Sequence, residues 1–145
     1  MRIKQIFILA VLLLAAGCRE KKAERFTALP FPDVQLPSMI SGQQEALEYM
    51  AVNYWNGITD PSRSYPSDSL LVSGVRRGDV EQKFADWTSI MEYAGNGIWS
   101  KAVGNLYDRA LACERKDTAS QVFETFVDLF QKYYYDPNSP MRNED

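Results

Sequence analysis

Four stretches of this chain repeat apolar residues at intervals of three and four positions, the spacing of one face of an α-helix. The predicted helices begin at Ser41, at Asp79, near Ile98 or Trp99, and at Thr118. Ser41, Asp79 and Thr118 are each followed three residues later by Gln, a capping-box pattern. No stretch has the clear alternation of a half-buried β-strand. The sequence therefore predicts an all-α fold, a compact bundle of about four helices.

The apolar faces of these helices define the predicted core. The residues expected to face inward are Leu47, Met50, Ala51 and Tyr54, then Val80, Phe84, Trp87, Met91 and Ala94, then Trp99, Ala102, Val103, Leu106, Tyr107 and Ala110, and finally Val122, Phe123, Phe126, Leu129, Phe130 and Tyr133. Residues 59–78 form a polar loop between the first two helices, in which Leu70 to Val72 are expected to make a short helical or extended turn.

A proline-rich segment precedes the first helix. Phe26 to Pro37 holds Pro30, Pro32 and Pro37, interleaved with apolar residues. Proline is excluded from helix interiors and favours an extended conformation in the residue before it. We expect an extended arm whose apolar side chains dock on the surface of the helical domain.

The N-terminus has the pattern of a bacterial lipoprotein. Arg2 and Lys4 precede an unbroken apolar run, Ile6 to Ala16, which is shorter than the about 20 residues that a helix needs to span a bilayer. A positive start followed by a short apolar run is typical of a secretory signal peptide. The run ends in Leu14-Ala15-Ala16-Gly17-Cys18, which resembles a lipobox and implies cleavage before Cys18 and lipid attachment to that cysteine.

These features divide the chain into three parts. Residues 1–17 are the predicted signal peptide, residues 18–25 a lipidated cysteine with a charged tether, and residues 26–145 the helical domain with its arm. The tether alternates in charge sign and lacks an acidic run, which favours a periplasm-facing position in the bacterial envelope over the cell surface.

Composition excludes several functions. The net charge is −3, which disfavours nucleic acid because such binding rests on clustered Lys and Arg. The chain has no His, the commonest general base and metal ligand, and no glycine-rich phosphate loop. Cys113 belongs to no CxxC pair and is in phase with Leu106 and Ala110, so it is expected to be buried. We therefore predict no catalytic residue, metal or cofactor, and a protein that is not an enzyme.

Aromatic residues supply the one candidate ligand site. Tyr54 and Trp55 close the first helix beside the polar loop, and Tyr134 and Tyr135 belong to a run of three tyrosines. If exposed, such rings could stack on sugars or peptides, although aromatic residues at helical spacing usually fill a core. A hydrolase using paired carboxylates is the least supported alternative because no spacing specifies its site.

The C-terminus carries one specific motif. Asp136, Pro137, Asn138 and Ser139 favour a type I turn, and Pro140, Met141 and Arg142 follow. The segment Tyr135 to Asp145, together with the arm and Tyr54-Trp55, resembles a helical domain of unknown function in Bacteroidetes lipoproteins. In that family the domain precedes a thioredoxin-like domain of the thiol–disulfide interchange type. The resemblance implies an envelope location and a thioredoxin-like protein or domain as partner.

The chain departs from that family at the redox site, because it lacks a CxxC dithiol and ends at Asp145. We therefore expect a lipid-anchored, non-catalytic binding or accessory module associated with thioredoxin-like proteins. One alternative is a glycan- or peptide-binding lipoprotein that uses exposed aromatics. Another is the front fragment of a longer thiol–disulfide interchange protein.

Overall fold

The computed structural model describes residues 26–139 and confirms an all-α fold. Its four helices are α1 (Gln43–Asn53), α2 (Arg77–Ala94), α3 (Ile98–Lys116) and α4 (Val122–Phe130). Two short strands, β1 (Leu71–Val72) and β2 (Val75–Arg76), form an antiparallel hairpin before α2. A 3-10 helix (Thr118–Ser120) precedes α4, and a π-helical turn (Gln131–Tyr135) follows it.

The predicted capping boxes are wrong in all three helices. The N-cap residues are Gly42 for α1 and Arg76 for α2, and neither cap has a side-chain hydrogen bond. Asp79 lies inside the first turn of α2, where its carboxylate interacts favourably with the positive end of the helix dipole. Thr118 starts the 3-10 helix instead, because Asp117 caps that element by accepting a hydrogen bond from the amide of Ala119 at 3.0 Å.

The core lies between the helices, with α1 packed against α2 and α3, and α4 packed against α3. The predicted stripe of α2 is entirely buried: Val80, Phe84, Trp87, Met91 and Ala94. Trp55 lies at the centre of this core, where its ring centroid is 4.6 Å from that of Phe126 in α4 and 5.9 Å from that of Trp87 in α2. Edge-to-face packing of this kind favours one arrangement of the helices over others.

The proline-rich arm docks on the domain as predicted. Phe31 packs edge-on against Trp55 with ring centroids 5.5 Å apart. Pro32 lies so close to Gly57 that a Cβ atom at position 57 would be 2.6 Å from the Pro32 Cβ. The backbone amide of Leu29 donates a 2.8 Å hydrogen bond to the carbonyl of Gly74 in the hairpin turn. The arm therefore covers Trp55 and joins the helical core to the hairpin.

The polar loop contains the hairpin, so Leu71 and Val72 are extended and not helical. The hairpin turn is Ser73-Gly74, with φ angles of 48° and 81°. Two consecutive positive φ angles are typical of a type I′ turn, whose twist matches that of the flanking strands. Both positions are buried: the amide of Ser73 donates to the carbonyl of Ser120 in the 3-10 helix, and Gly74 lies against Tyr65 and Leu29.

The chain leaves the bundle through the π-helical turn. Its three consecutive tyrosines lie in different surroundings: Tyr133 packs on Phe84, Tyr134 packs on Trp99, and Tyr135 is exposed. The turn predicted at Asp136 follows, closed by a 3.0 Å hydrogen bond from the amide of Ser139 to the carbonyl of Asp136. Within residues 26–139, no helix has both the length and the apolar character needed to cross a membrane.

Candidate functional site

Two of the four aromatic residues proposed from the sequence as ligand contacts lie in the core. Tyr54 is 7% exposed and Trp55 is 2% exposed. The prediction that they present their rings to a ligand is therefore wrong. The physical reason is the docked arm, since Phe31 packs against both rings and fills the space that a ligand would need.

The other two aromatic residues lie at the end of α4. Tyr134 is half-buried, with its ring centroid 5.2 Å from that of Trp99 and 5.9 Å from that of Phe130. Burial raises the pKa of the Tyr134 phenol to about 12, and the nearby Glu92 carboxylate adds to this rise. Tyr135 is 78% exposed and borders a groove between α3 and α4. Only Tyr135 offers most of its ring to a partner.

The groove between α3 and α4 is a concave apolar surface with a volume of about 340 Å³. Its lining comprises Val103, Leu106, Tyr107, Ala110, Phe123, Phe126, Val127, Phe130, Gln131 and Tyr135. Nine of these ten side chains are apolar or aromatic, and none carries a charge. Such a lining favours an apolar ligand over a polar one.

One aromatic pair joins the two helices at this α3–α4 groove. The ring centroids of Tyr107 in α3 and Phe123 in α4 are 5.6 Å apart. Tyr107 is 53% exposed and Val127 is 40% exposed, so both helices contribute apolar side chains to the rim. Apolar side chains exposed together along a groove mark a candidate interaction site.

Two glutamates follow lining residues of the groove in the sequence. Glu114 comes one helical turn after Ala110 on the same face of α3. Glu124 directly follows Phe123 and lies one turn before Asp128 on α4. Among residues 26–139, neither carboxylate forms an ion pair. Both carboxylates are therefore free to pair with a partner, whereas Asp128 pairs with Arg77.

The model of one protein family, described as a domain of unknown function (DUF5106), matches residues 16–145 of this chain. The chain belongs to the DUF5106 family. No curated protein and no solved structure matches it. The α3–α4 groove therefore lies inside the DUF5106 domain, as do the arm and the C-terminal motif.

The groove residues of this DUF5106 domain were not recognised from the sequence. Tyr107 and Phe123 were both predicted to face the core, and Val127 was not singled out. The available signal was the width of the apolar arc on α4, where Val122, Phe123, Phe126, Val127 and Phe130 cover more of the circumference than one buried face requires. An arc of that width predicts a second contact surface beside the core.

Cys113 is buried in this DUF5106 domain, as its phase on the third helix predicted, and is 6% exposed. Its Sγ donates a hydrogen bond to the carbonyl oxygen of Thr59 at 3.1 Å. Burial raises the pKa of the Cys113 thiol, whereas Arg109 acts in the opposite direction. A protonated, hydrogen-bonded thiol is a poor nucleophile.

Some of the remaining predicted site residues lie in the described part of the chain, which ends at Ser139, and the others lie outside it. Asp136 to Ser139 form the turn described above, and the Ser139 hydroxyl also donates to the carbonyl of Tyr133. Cys18, Pro140 and Arg142 lie outside the described residues. Within residues 26–139, no three side chains of Cys, Asp or Glu are grouped to hold a metal ion.

Proposed function

We propose that this chain is a lipid-anchored protein of the bacterial envelope that acts as a non-catalytic accessory module. In this proposal the α3–α4 groove binds an amphipathic helix of a protein partner, and Cys18 carries the lipid. The observation that carries the proposal is the groove itself, because its uncharged lining and exposed rim residues Tyr107, Val127 and Tyr135 match an apolar helix face.

Two carboxylates indicate which charged residues the partner helix should carry. Glu114 and Glu124, which form no ion pair among residues 26–139, favour Lys or Arg beside the apolar face of the bound helix. The apolar lining supplies affinity, whereas the carboxylates supply orientation. A partner helix with acidic flanks is disfavoured by repulsion.

The resemblance to domains that precede thioredoxin-like domains supports a thioredoxin-like protein or domain as this partner. A lipid on Cys18 holds the module at a membrane, and the residues between Cys18 and the arm separate the domain from the bilayer. Stable anchoring requires two or more acyl chains, because one chain gives only reversible attachment.

Site-specific photocrosslinking in the envelope of expressing cells tests the groove. A photoreactive amino acid replaces Val127 inside the groove, and in a second strain it replaces Tyr93. Tyr93 is 71% exposed on α2 and does not line the groove, so it reports non-specific contacts. The proposal expects a protein crosslinked from position 127 only, and a crosslinked peptide that has an apolar helix face with a flanking Lys or Arg.

A matched pair of variants completes this test. Tyr135→Ala should lower the yield of the crosslink from position 127, whereas Tyr93→Ala should leave it unchanged. Both side chains are mostly exposed, so each substitution should alter stability by no more than about 0.5 kcal/mol. Equal products from positions 127 and 93, or a crosslinked peptide without an apolar face, would rule out the groove as the docking site.

A further inference from the structure

The helices of this domain meet at two opposite ends. At one of them, the hairpin end, the amide of Ser73 between β1 and β2 donates to the carbonyl of Ser120, shortly after α3. At the other, the far end, the side chain of Gln44 in α1 donates to the carbonyl of Ala94, the last residue of α2. Because α3 begins at the far end and finishes at the hairpin end, its 19 residues separate the two by about 28 Å.

The arm runs from the hairpin end to the far end. Leu29 donates its hydrogen bond to the carbonyl of Gly74 in the hairpin turn, whereas Ile40, just before α1, lines a hollow together with Ile98 at the start of α3. Phe26 comes three residues before Leu29 and therefore lies within about 11 Å of it. Followed toward the N-terminus, the chain leaves the domain at the hairpin end.

This path limits how the domain can lie on a membrane. If Cys18 carries the lipid, as in the proposed function, the eight residues 18–25 join the bilayer surface to Phe26. Eight residues reach at most about 26–29 Å when fully extended. That reach only just equals the length of α3, so the far end could touch the bilayer only with the tether pulled straight along the whole domain. The hairpin end can touch it with a much shorter reach.

The hairpin end presents an apolar side chain beside a cation. Leu70 is 76% exposed directly before β1, and its carbonyl accepts from the amide of Arg77 across the hairpin. Arg76 in β2 is exposed and forms no ion pair among residues 26–139. Phe26 adds a second apolar side chain, 45% exposed. Such a combination suits a bilayer with anionic lipids, since the apolar group enters the headgroup region while the cation stays with the phosphates.

Charges of both signs surround this pair. The Asp68 carboxylate accepts a 2.8 Å hydrogen bond from the amide of Leu70, and Asp79 lies in the first turn of α2. The tether, residues 18–25, carries four basic and two acidic residues. Attraction to anionic lipid therefore comes chiefly from the tether and Arg76. The charges near the last turns of α3 nearly balance: Asp60, Glu114 and Asp117 against Arg63, Arg109, Arg115 and Lys116.

We propose that the hairpin end of this domain lies on the bilayer surface, with Leu70 in the headgroup region and Arg76 at the lipid phosphates. This inference rests on the lipid anchor of the proposed function and adds an orientation to it. The far end then faces away from the membrane. Tyr135 of the α3–α4 groove follows Tyr134, which packs on Trp99 at the far end, so this part of the groove stays accessible to a protein partner.

Fluorescence quenching in reconstituted vesicles tests this orientation. The protein is extracted from the membranes of expressing cells, its lipid is verified by mass, and it is inserted into vesicles of phosphatidylethanolamine with phosphatidylglycerol. A fluorescent amino acid replaces Ser69, beside Leu70, and in a second protein it replaces Asn96 at the far end; both positions are exposed. Nitroxide groups on the lipid headgroups should quench the probe at position 69 several-fold more strongly than the probe at position 96. Equal quenching, or stronger quenching at position 96, would overturn the orientation.

The same samples distinguish this inference from the anchor on which it rests. A protein that carries no lipid and does not stay with the vesicles contradicts the proposed anchor, and the orientation with it. A lipidated protein whose two probes are quenched equally contradicts the orientation alone.

Substitutions identify the contact within the hairpin end. Leu70→Glu should lower the quenching at position 69 toward the level at position 96, whereas the matched control Met39→Glu, at an 85% exposed residue beside the far end, should leave it unchanged. Arg76→Gln should lower it only in vesicles that contain phosphatidylglycerol. Circular dichroism verifies that each variant keeps its helices. Unchanged quenching in both folded variants, Leu70→Glu and Arg76→Gln, would contradict the proposed bilayer contact.

Discussion

The indole Nε1 of Trp87 donates a hydrogen bond of 2.8 Å to the backbone carbonyl oxygen of Ala51. This bond joins α2 to α1 in the interior, where both residues are almost fully buried. Trp87→Phe keeps an aromatic ring but removes the donor, so we expect a loss of about 1–3 kcal/mol in the free energy of unfolding. Urea denaturation measures this loss. Trp99→Phe is the control, because Trp99 is 38% exposed and donates no hydrogen bond in the described structure. An equal loss of stability in this control would contradict a stabilising role for the Trp87 hydrogen bond.

Replacing two buried threonines by valine should change the free energy of unfolding in opposite directions. The Thr125 hydroxyl has no hydrogen-bond partner in the described structure, so Thr125→Val should raise the free energy of unfolding by about 1 kcal/mol. The Thr59 hydroxyl donates to the carbonyl of Trp55 and accepts from the Arg109 Nε at 3.0 Å. Thr59→Val should therefore lower stability by about 1.5–3 kcal/mol, since a charged donor loses its acceptor. Thermal denaturation of both variants gives the comparison, and effects of the same sign would show that the hydroxyl environments are misassigned.

Replacing two glycines by alanine should also change the stability of the fold in opposite directions. Gly104 lies inside α3, and a Cβ atom there would meet no atom within 4 Å. Gly104→Ala should stabilise the protein by about 0.5–1 kcal/mol because alanine loses less backbone entropy in a helix. Gly57→Ala should destabilise it, because the new methyl group would displace Pro32 and loosen the arm. Chemical denaturation distinguishes the two, and proteolysis within the arm should accelerate only in the Gly57 variant. A stabilising Gly57→Ala would mean that the arm is not docked on the helices.

Alkaline pH should destabilise the fold through its buried phenols. Burial raises the pKa of Tyr54 to about 12, with a further contribution from the Asp86 carboxylate. A group whose pKa is higher in the folded state stabilises that state while protonated, and this stabilisation is lost as the pH rises from the unfolded toward the folded pKa. The free energy of unfolding should therefore fall between about pH 10 and pH 12. Tyr54→Phe should make this fall shallower, whereas Tyr93→Phe, at an exposed position, should not. Equal slopes for both variants would argue against a buried Tyr54.

The sequence predicted the fold class because helical periodicity is a local property. Val80, Phe84 and Trp87 repeat at helical spacing, and the structure buries all three. The capping boxes failed because Ser41 and Thr118 compete with other local arrangements: α1 begins after Gly42, and Asp117 starts a 3-10 helix before α4. A capping pattern in the sequence shows which hydrogen bonds are possible. The path of the loop in the folded protein determines which of them form.

The candidate sites could be predicted only in part, since they depend on distant segments. Tyr54 and Trp55 had the composition of a ligand site, but Phe31 packs on them from the arm, about twenty residues away in the sequence. The groove requires the relative placement of α3 and α4, which periodicity does not specify. The hydrogen bond between Ser73 and Ser120 likewise depends on a hairpin that the sequence pattern did not resolve.

The intact mass of the protein extracted with detergent from the membranes of expressing cells tests the lipid-anchored module most directly. The account predicts a mature protein that begins at Cys18 and carries two or three acyl chains, all on that cysteine. A mass that retains Met1 and carries no lipid would contradict the anchor, and with it the proposed place of this domain in the envelope.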